Sequence, residues 1–170
     1  MANESSMVNT SSADPVHSRL AGKYMAFRLA DEDYGLAILK VREIIGLMEI
    51  TRVPCADSCI RGVINLRGRV IPVIDLRTKF AMEPCETSEQ TVIIVVQYPT
   101  VRGEITMGVL VDQVLEVLSI EADKIEPPPS FGSGSISADF ILGIGKVDKR
   151  VIFLLDIGRV LSGEDARAAA

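Results

Sequence analysis

Residues 60–80 read IRGVINLRGRVIPVIDLRTKF, and this stretch decides the fold. Two β-branched runs, Gly62-Val63-Ile64 and Val70-Ile71-Pro72-Val73-Ile74, flank Asn65-Leu66-Arg67-Gly68, a turn-forming tetrad. Arg61, Arg67, Arg69 and Arg77 stud the same segment, so the pattern predicts a buried hairpin with cations at its bend. Pro72 has no N–H to give a ladder, which places the second run at a sheet edge or at a bulge. The glycines mark points where the backbone turns or is approached closely. The segment describes a surface for touching something.

Outward from the hairpin the strand signal repeats. Tyr24 to Leu29 alternates at period two, Asp31-Glu32-Asp33 forms an acidic bend, and Tyr34 to Ile38 continues as a second strand. Leu39 to Val41 reads as a short helical turn leading into a strand. Val41, Ile44, Ile45 and Met48 have helical spacing, but β-branched residues dominate and Gly46 interrupts. Asp57 to Ile60 fits one helical turn. Thr91 to Tyr98 and Glu104 to Val111 are apolar, β-branched strands. Asp112 to Leu118 alternates more weakly and runs on to Glu121, before a turn near Lys124. Pro127-Pro128-Pro129 opens a loop through Gly132 to Ser135. Phe140 to Val147 and Arg150 to Leu155 flank Asp148-Lys149 as a hairpin, and Asp156 is placed to cap a short terminal helix to Leu161. Seven to ten short strands with hardly any helix predict an all-β barrel or sandwich. Residues 1–22 and 163–170 are expected to be flexible tails on a domain spanning 23–162.

The 170 residues suffice for one domain or two small subdomains sharing a core, and 48% hydrophobic content is ample for burial. Aromatic content of 5%, no Trp and a net charge of -5 oppose nucleic-acid binding. The longest apolar runs, Val92–Val96 and Val109–Val111, fall far short of the roughly 18–20 residues of a membrane span. No basic-then-apolar leader opens the chain, so a cytoplasmic location is the expectation. The single histidine, His17, lies in the expected tail, which disfavours histidine catalysis and zinc. Cys55, Cys59 and Cys85 are odd in number and not spaced as a metal knuckle. They read as plain thiols, with a Cys55–Cys59 contact as the alternative. Gly143-x-Gly145 and Gly132-x-Gly134 lack the strand-to-helix context and the Lys-Ser/Thr of a phosphate cradle and read as turns, so no cofactor is expected.

Asp31, Glu32 and Asp33, and likewise Glu121, Asp123 and Glu126, read as solvated turns. Asp75, beside Arg77, and Asp112, after Val109-Leu110-Val111, sit among strand residues and are expected to pair with arginines. Glu43 and Arg67 are charges set among apolar residues. Either they bridge each other or they face a partner. A rigid β framework without a catalytic set points to a binding module.

Tyr34-Gly35, Val41-Arg42-Glu43-Ile44-Ile45, Ile50-Thr51-x-Val53-Pro54, the Ile60 to Arg77 hairpin with its Asn-Leu-Arg-Gly turn, Gly108-Val109-Leu110-Val111-Asp112-x-Val114 and the Gly143 to Ile157 stretch resemble the CheW family of chemotaxis coupling proteins. The likeness runs from about Tyr24 to Leu161. It implies two intertwined five-stranded SH3-like β-barrel subdomains around a shared hydrophobic core, with a short C-terminal helix. It implies an adaptor that is not an enzyme and needs no cofactor or metal. The implied partners are the regulatory domain of the histidine kinase CheA and the cytoplasmic hairpin of chemoreceptors, with a chain monomeric alone and assembled into arrays at the inner face of the membrane. By matching positions, Glu43, Gly62, Arg67, Val92, Gly108 and Val114 would meet the receptor in a groove between the barrels. Met25, Ile38 and Val41 would meet the kinase. Core or turn roles stay open for Val92, Gly108 and Val114. A coupling protein of a parallel motility or developmental pathway would use the same surfaces, and a small hydrolase or ligand-binding barrel is the alternative from another class.

Overall fold

The computed structural model describes residues 19–54, 56, 58–128 and 140–161. Their strands are β1 (Gly22–Leu29), β2 (Glu32–Ala37), β3 (Val41–Gly46), β4 (Ile60–Leu66), β5 (Arg69–Asp75), β6 (Val92–Thr100), β7 (Gly103–Val111), β8 (Gln113–Ile120), β9 (Ile125–Glu126), β10 (Ile141–Val147) and β11 (Arg150–Leu155). A six-stranded sheet has the order β8-β1-β2-β11-β10-β9 and a five-stranded sheet the order β3-β6-β7-β5-β4. Pairing is antiparallel except for β2 with β11 and β5 with β7. The fold is all-β with two SH3-like subdomains, and the second is threaded into the first between β2 and β8. One strand exceeds the sequence expectation: Ile125 and Glu126, read there as a turn, pair with Gly145 and Ile144 as β9. The first sheet therefore has six strands, where the resemblance implies five.

The 60–80 segment forms the expected hairpin of β4 and β5. Its bend is the two-residue turn Arg67-Gly68, with φ of 52° and 83°. Positive φ at both central positions is the signature of the type I′ turn, whose twist matches that of the flanking strands. Asn65 Oδ1 accepts from the Gly68 amide at 2.9 Å and locks it. Pro72 corrects the edge-strand expectation, because β5 lies between β4 and β7. Pro72 is tolerated there because its partner Val63 exchanges both of its backbone hydrogen bonds with Thr51 instead, and the ladder to β7 begins only at Val73. After β5, Asp75 caps the helical turn Leu76–Lys79 by accepting from the Arg77 amide at 3.0 Å. Asp156 does the same for Ile157–Val160 through Arg159 at 3.2 Å.

Three apolar clusters follow from the strand alternation. Tyr24, Ile120, Ile125, Ile152 and Leu154 fill the first barrel, and Ile64, Ile71, Val73, Ile93 and Leu110 fill the second. The largest cluster lies between the barrels and draws on both, with Phe27, Tyr34 and Leu36 from the first and Ile74, Ile94, Met107 and Val109 from the second. Tyr34 stacks on Phe27 and Phe80, each with ring centroids 5.8 Å away, so one aromatic column crosses the seam. Leu20, in the stretch expected to be tail, packs against the first barrel's cluster.

Several polar and glycine expectations change. Gly143 and Gly145 lie inside β10 and not in a turn: a Cβ on Gly145 would meet Ile120 Cδ1 at 2.9 Å, so the missing side chain lets β8 close over the barrel. Asp33 is buried and paired with Arg28 Nε at 3.1 Å, and Glu126 pairs with Lys146. Neither is a plain solvated turn residue. Ile60, placed at the end of a helical turn from sequence, begins β4. His17, Cys55, Asp57 and Gly132 to Ser135 lie outside the described residues.

Candidate docking surface

Edge strands β3 and β4 each carry one irregularity, and both bear on the candidate site. The register runs Val41 opposite Val96 and then Glu43 opposite Val95, so Arg42 is an extra residue in β3. On the other edge, Ile60 faces Ile74 and Gly62 faces Val73, so Arg61 is the extra residue in β4. A bulge shifts the side-chain parity of the strand beyond it. Val41 thus joins the core between the barrels, while Glu43, two residues on, turns to the opposite face.

Continuing the register across the sheet, Glu43 lies opposite Val95, Val95 opposite Gly108, Gly108 opposite Val73, and Val73 opposite Gly62. Three of the six residues singled out for receptor binding therefore occupy one row on the inward face of the second barrel's sheet, where Gly62, Val73, Val95 and Gly108 are all buried and Glu43 stands at the open end. Arg67, from the hairpin bend, reaches over that row and closes a forked bridge on Glu43, with Nη1–Oε1 at 2.8 Å and Nη2–Oε2 at 2.5 Å. The sequence left an internal bridge and a partner contact both open for this pair. The structure makes the bridge, and leaves the Arg67 side chain 69% exposed. Beside it lies a hollow of about 160 Å³, walled by Arg42, Arg67 and Arg69 and floored by Leu66, Ile71 and Val95.

The two glycines of the row are there for space. A Cβ on Gly108 would meet Ile93 Cγ2 at 2.8 Å. At Gly62, φ is 150° and a Cβ would fall 2.2 Å from the Thr51 carbonyl oxygen. This close approach lets Thr51 and Val63 exchange two hydrogen bonds of 2.8 Å. Val92 and Val114 are placed otherwise. Both are half-buried against the core between the barrels, and Val92 shares the sheet face of Ile94, opposite to that of Glu43.

The set assigned to the kinase borders the same core from both barrels, with Met25 on β1 of the first, Val41 on β3 of the second and Ile38 in the turn between them. Met25 is buried at 5% exposure. Ile38 and Val41 are half-buried. The most exposed apolar side chain near them is Leu39, at 94%, in the 3-10 turn Ile38–Lys40. Sequence reading missed it because Leu36, Ala37 and Ile38 before it are equally apolar. Arg42 and Arg69 were also missed as site residues. Arg69 lay within the noted cluster of hairpin cations, but nothing local announced the bulge at Arg42.

A polar junction joins the barrels where the chain crosses from β7 to β8. The Arg77 guanidinium grips Asp112, with Nε–Oδ1 at 2.9 Å, and Asp112 Oδ2 also accepts from the Ala30 amide at 2.8 Å. Burial alone would raise the Asp112 pKa, but the Arg77 hydrogen bond, the Ala30 amide and the Arg77 charge together hold it below the usual carboxylate range. The hydrogen bond to Asp112 outweighs burial and raises Arg77 in turn. Asp75 pairs with Arg61 at 3.4 Å. Asp75, at the end of β5, and Asp112, between β7 and β8, are both arginine-paired, as their apolar setting predicted.

Residues 23–165 match the CheW-like domain. The chain is 39% identical over 153 residues to the chemotaxis protein CheW of Klebsiella aerogenes, a match covering 87% of this chain and 89% of that protein. It is 32% identical over 147 residues to the chemotaxis protein CheW of Bacillus subtilis, covering 86% and 91%. The crystal structure of the scaffolding protein TtCheW from Thermoanaerobacter tengcongensis is similar at a TM-score of 0.74 and 35% identity, over 85% of this chain and 90% of that one. A family match spanning both barrels, carried by relatives of nearly the same extent, makes the chain a member of the CheW-like family of chemotaxis proteins.

Proposed function

We propose that the chain is a non-catalytic chemotaxis scaffold that couples the histidine kinase CheA to the cytoplasmic hairpins of chemoreceptors. The observation that carries this reading is the row of Glu43, Gly108 and Gly62 with Arg67 bridged over it, because positions taken from the family pattern fall together on one face. The glycines of the row are buried in the second barrel, and what a partner can reach is the hollow at the bridge, whose apolar floor and few fixed charges suit an amphipathic receptor helix needing both burial and register. The kinase's regulatory domain would dock where the chain passes from the first barrel to the second, with Leu39 exposed between half-buried Ile38 and Val41. Val92 and Val114 would contribute to receptor docking from the seam. No helix among the described residues is long and apolar enough to cross a membrane. The chain would act in the cytoplasm, monomeric alone and held in arrays at the membrane's inner face by its receptors.

Titration of the purified protein against a CheA regulatory domain and, separately, a soluble receptor hairpin tests the reading. Saturable binding to both is expected, with Arg67→Glu weakening the receptor arm about tenfold and leaving the kinase arm unchanged. Binding to neither partner by a folded protein would overturn it.

A further inference from the structure

The hollow beside the Glu43–Arg67 bridge holds cations that its own carboxylate does not answer. Glu43 is committed to Arg67 through both oxygens. Arg42 Nη1 donates to the neutral amide oxygen of Gln97 at 2.9 Å. Arg69 makes no side-chain hydrogen bond or ion pair among the described residues. Three guanidinium groups and one carboxylate thus surround a space with an apolar floor, on a chain whose net charge is -5. The local excess of positive charge runs against the molecule's overall sign and so belongs to the site.

Size adds a second constraint. An apolar cavity of about 150 Å³ accommodates a benzene molecule, so a hollow of about 160 Å³ admits one leucine or phenylalanine side chain onto Ile71 and Val95. We propose that this hollow selects a helical segment of the receptor that presents one large apolar side chain beside a carboxylate. The apolar group would sit on the floor, with the carboxylate between Arg42 and Arg69. This rests on the second barrel's being the receptor-docking side, and it names the chemistry the barrel reads. Residues three or four apart on a helix share a face, so one turn supplies both groups. A guanidinium fork matches a carboxylate through paired hydrogen bonds, and arginines next to desolvated floors are recurrent centres of binding energy.

The test measures affinity and its salt dependence for a soluble chemoreceptor hairpin, with wild-type protein, Arg42→Gln, Arg69→Gln and the double variant. Lys149→Gln, at the distant β10–β11 turn, controls for the loss of one charge. Arg42 and Arg69 are exposed, so the variants should melt with the wild type. Each single change is expected to lower receptor affinity about fivefold and the double change more than tenfold, with a flatter salt dependence, while Lys149→Gln and the CheA arm stay unchanged. Replacing the hairpin's acidic residues with their amides should abolish the difference between wild type and double variant. Equal affinity and equal salt dependence across all four proteins would overturn the proposal while leaving receptor docking intact. A wild-type protein that fails to bind the hairpin at all would overturn both.

Discussion

A methyl group on Gly62 would fall 2.2 Å from the Thr51 carbonyl oxygen, on a backbone whose φ of 150° side chains rarely adopt. Backbone strain of this kind costs about 1–3 kcal/mol, and displacing the paired Thr51–Val63 hydrogen bonds adds about 1 kcal/mol for each. Gly62→Ala should therefore destabilise the protein by about 2–4 kcal/mol in urea unfolding, whether or not position 62 also touches a partner. A stability within about 0.5 kcal/mol of wild type would show that the 50–51 segment moves aside freely. The Glu43–Arg67 bridge lies at the other extreme. It is largely exposed, and such pairs are worth about 0–1 kcal/mol. The exchange Glu43→Arg with Arg67→Glu should thus preserve stability, and should recover part of the receptor affinity lost in Arg67→Glu alone if the fork's shape matters beyond its polarity. No recovery would mean that Arg67 itself meets the receptor. The pairing of Asp75 and Asp112 with arginines was legible in the sequence, since a carboxylate within an apolar strand needs a partner. The choice of partner was not, because Arg77 is the arginine beside Asp75 in sequence and only the fold brings Arg61 to Asp75 and sends Arg77 to Asp112.

At the scale of elements, strand identity was readable because period-two alternation and the Asn-Leu-Arg-Gly bend are local signals. What escaped was register. A bulge is defined by the facing strand, so neither the extra residue Arg42 nor the resulting turn of Glu43 toward Arg67 can be read from β3 alone. The same non-locality hid the interior position of β5. Leu39 escaped as well: it ends an apolar run in the sequence, and only the 3-10 turn Ile38–Lys40 leaves it almost fully exposed. Leu39→Ser should lower affinity for the CheA regulatory domain about fivefold or more with stability unchanged within about 0.5 kcal/mol. Unchanged affinity would move the kinase surface elsewhere. The β7–β8 junction makes a prediction in pH. Because Asp112 has a lowered pKa in the folded protein, its pairing contributes stability that is fully present above the ordinary aspartate value near 3.9 and is lost as pH falls through the folded value. Asp112→Asn should flatten that acid limb of a stability-versus-pH curve, and an unaltered limb would mean that other carboxylates carry it.

For the molecule as a whole, connectivity and the shared core lead to one expectation about cooperativity. The first barrel takes β1 and β2 from one end of the chain and β8 to β11 from the other, while β3 to β7 lie between them as the second barrel. The largest apolar cluster belongs to neither barrel alone. Separating the barrels would expose Phe27, Tyr34 and Leu36 on one side and Ile74, Ile94 and Val109 on the other, at about 25 cal/mol for each Å² of apolar surface. Each barrel alone would keep a cluster of five buried side chains, against nineteen in the shared one, so most of the apolar burial that offsets strand ordering is common to both. The protein should accordingly unfold in one transition, with tyrosine fluorescence and far-ultraviolet dichroism coincident. Phe80→Ala removes a second-barrel ring stacked on Tyr34 of the first and should cost about 3–5 kcal/mol. It should also lower protection from hydrogen exchange in β2 and β11 as much as in β5 and β7. A loss confined to the second barrel would show that the barrels are stabilised separately.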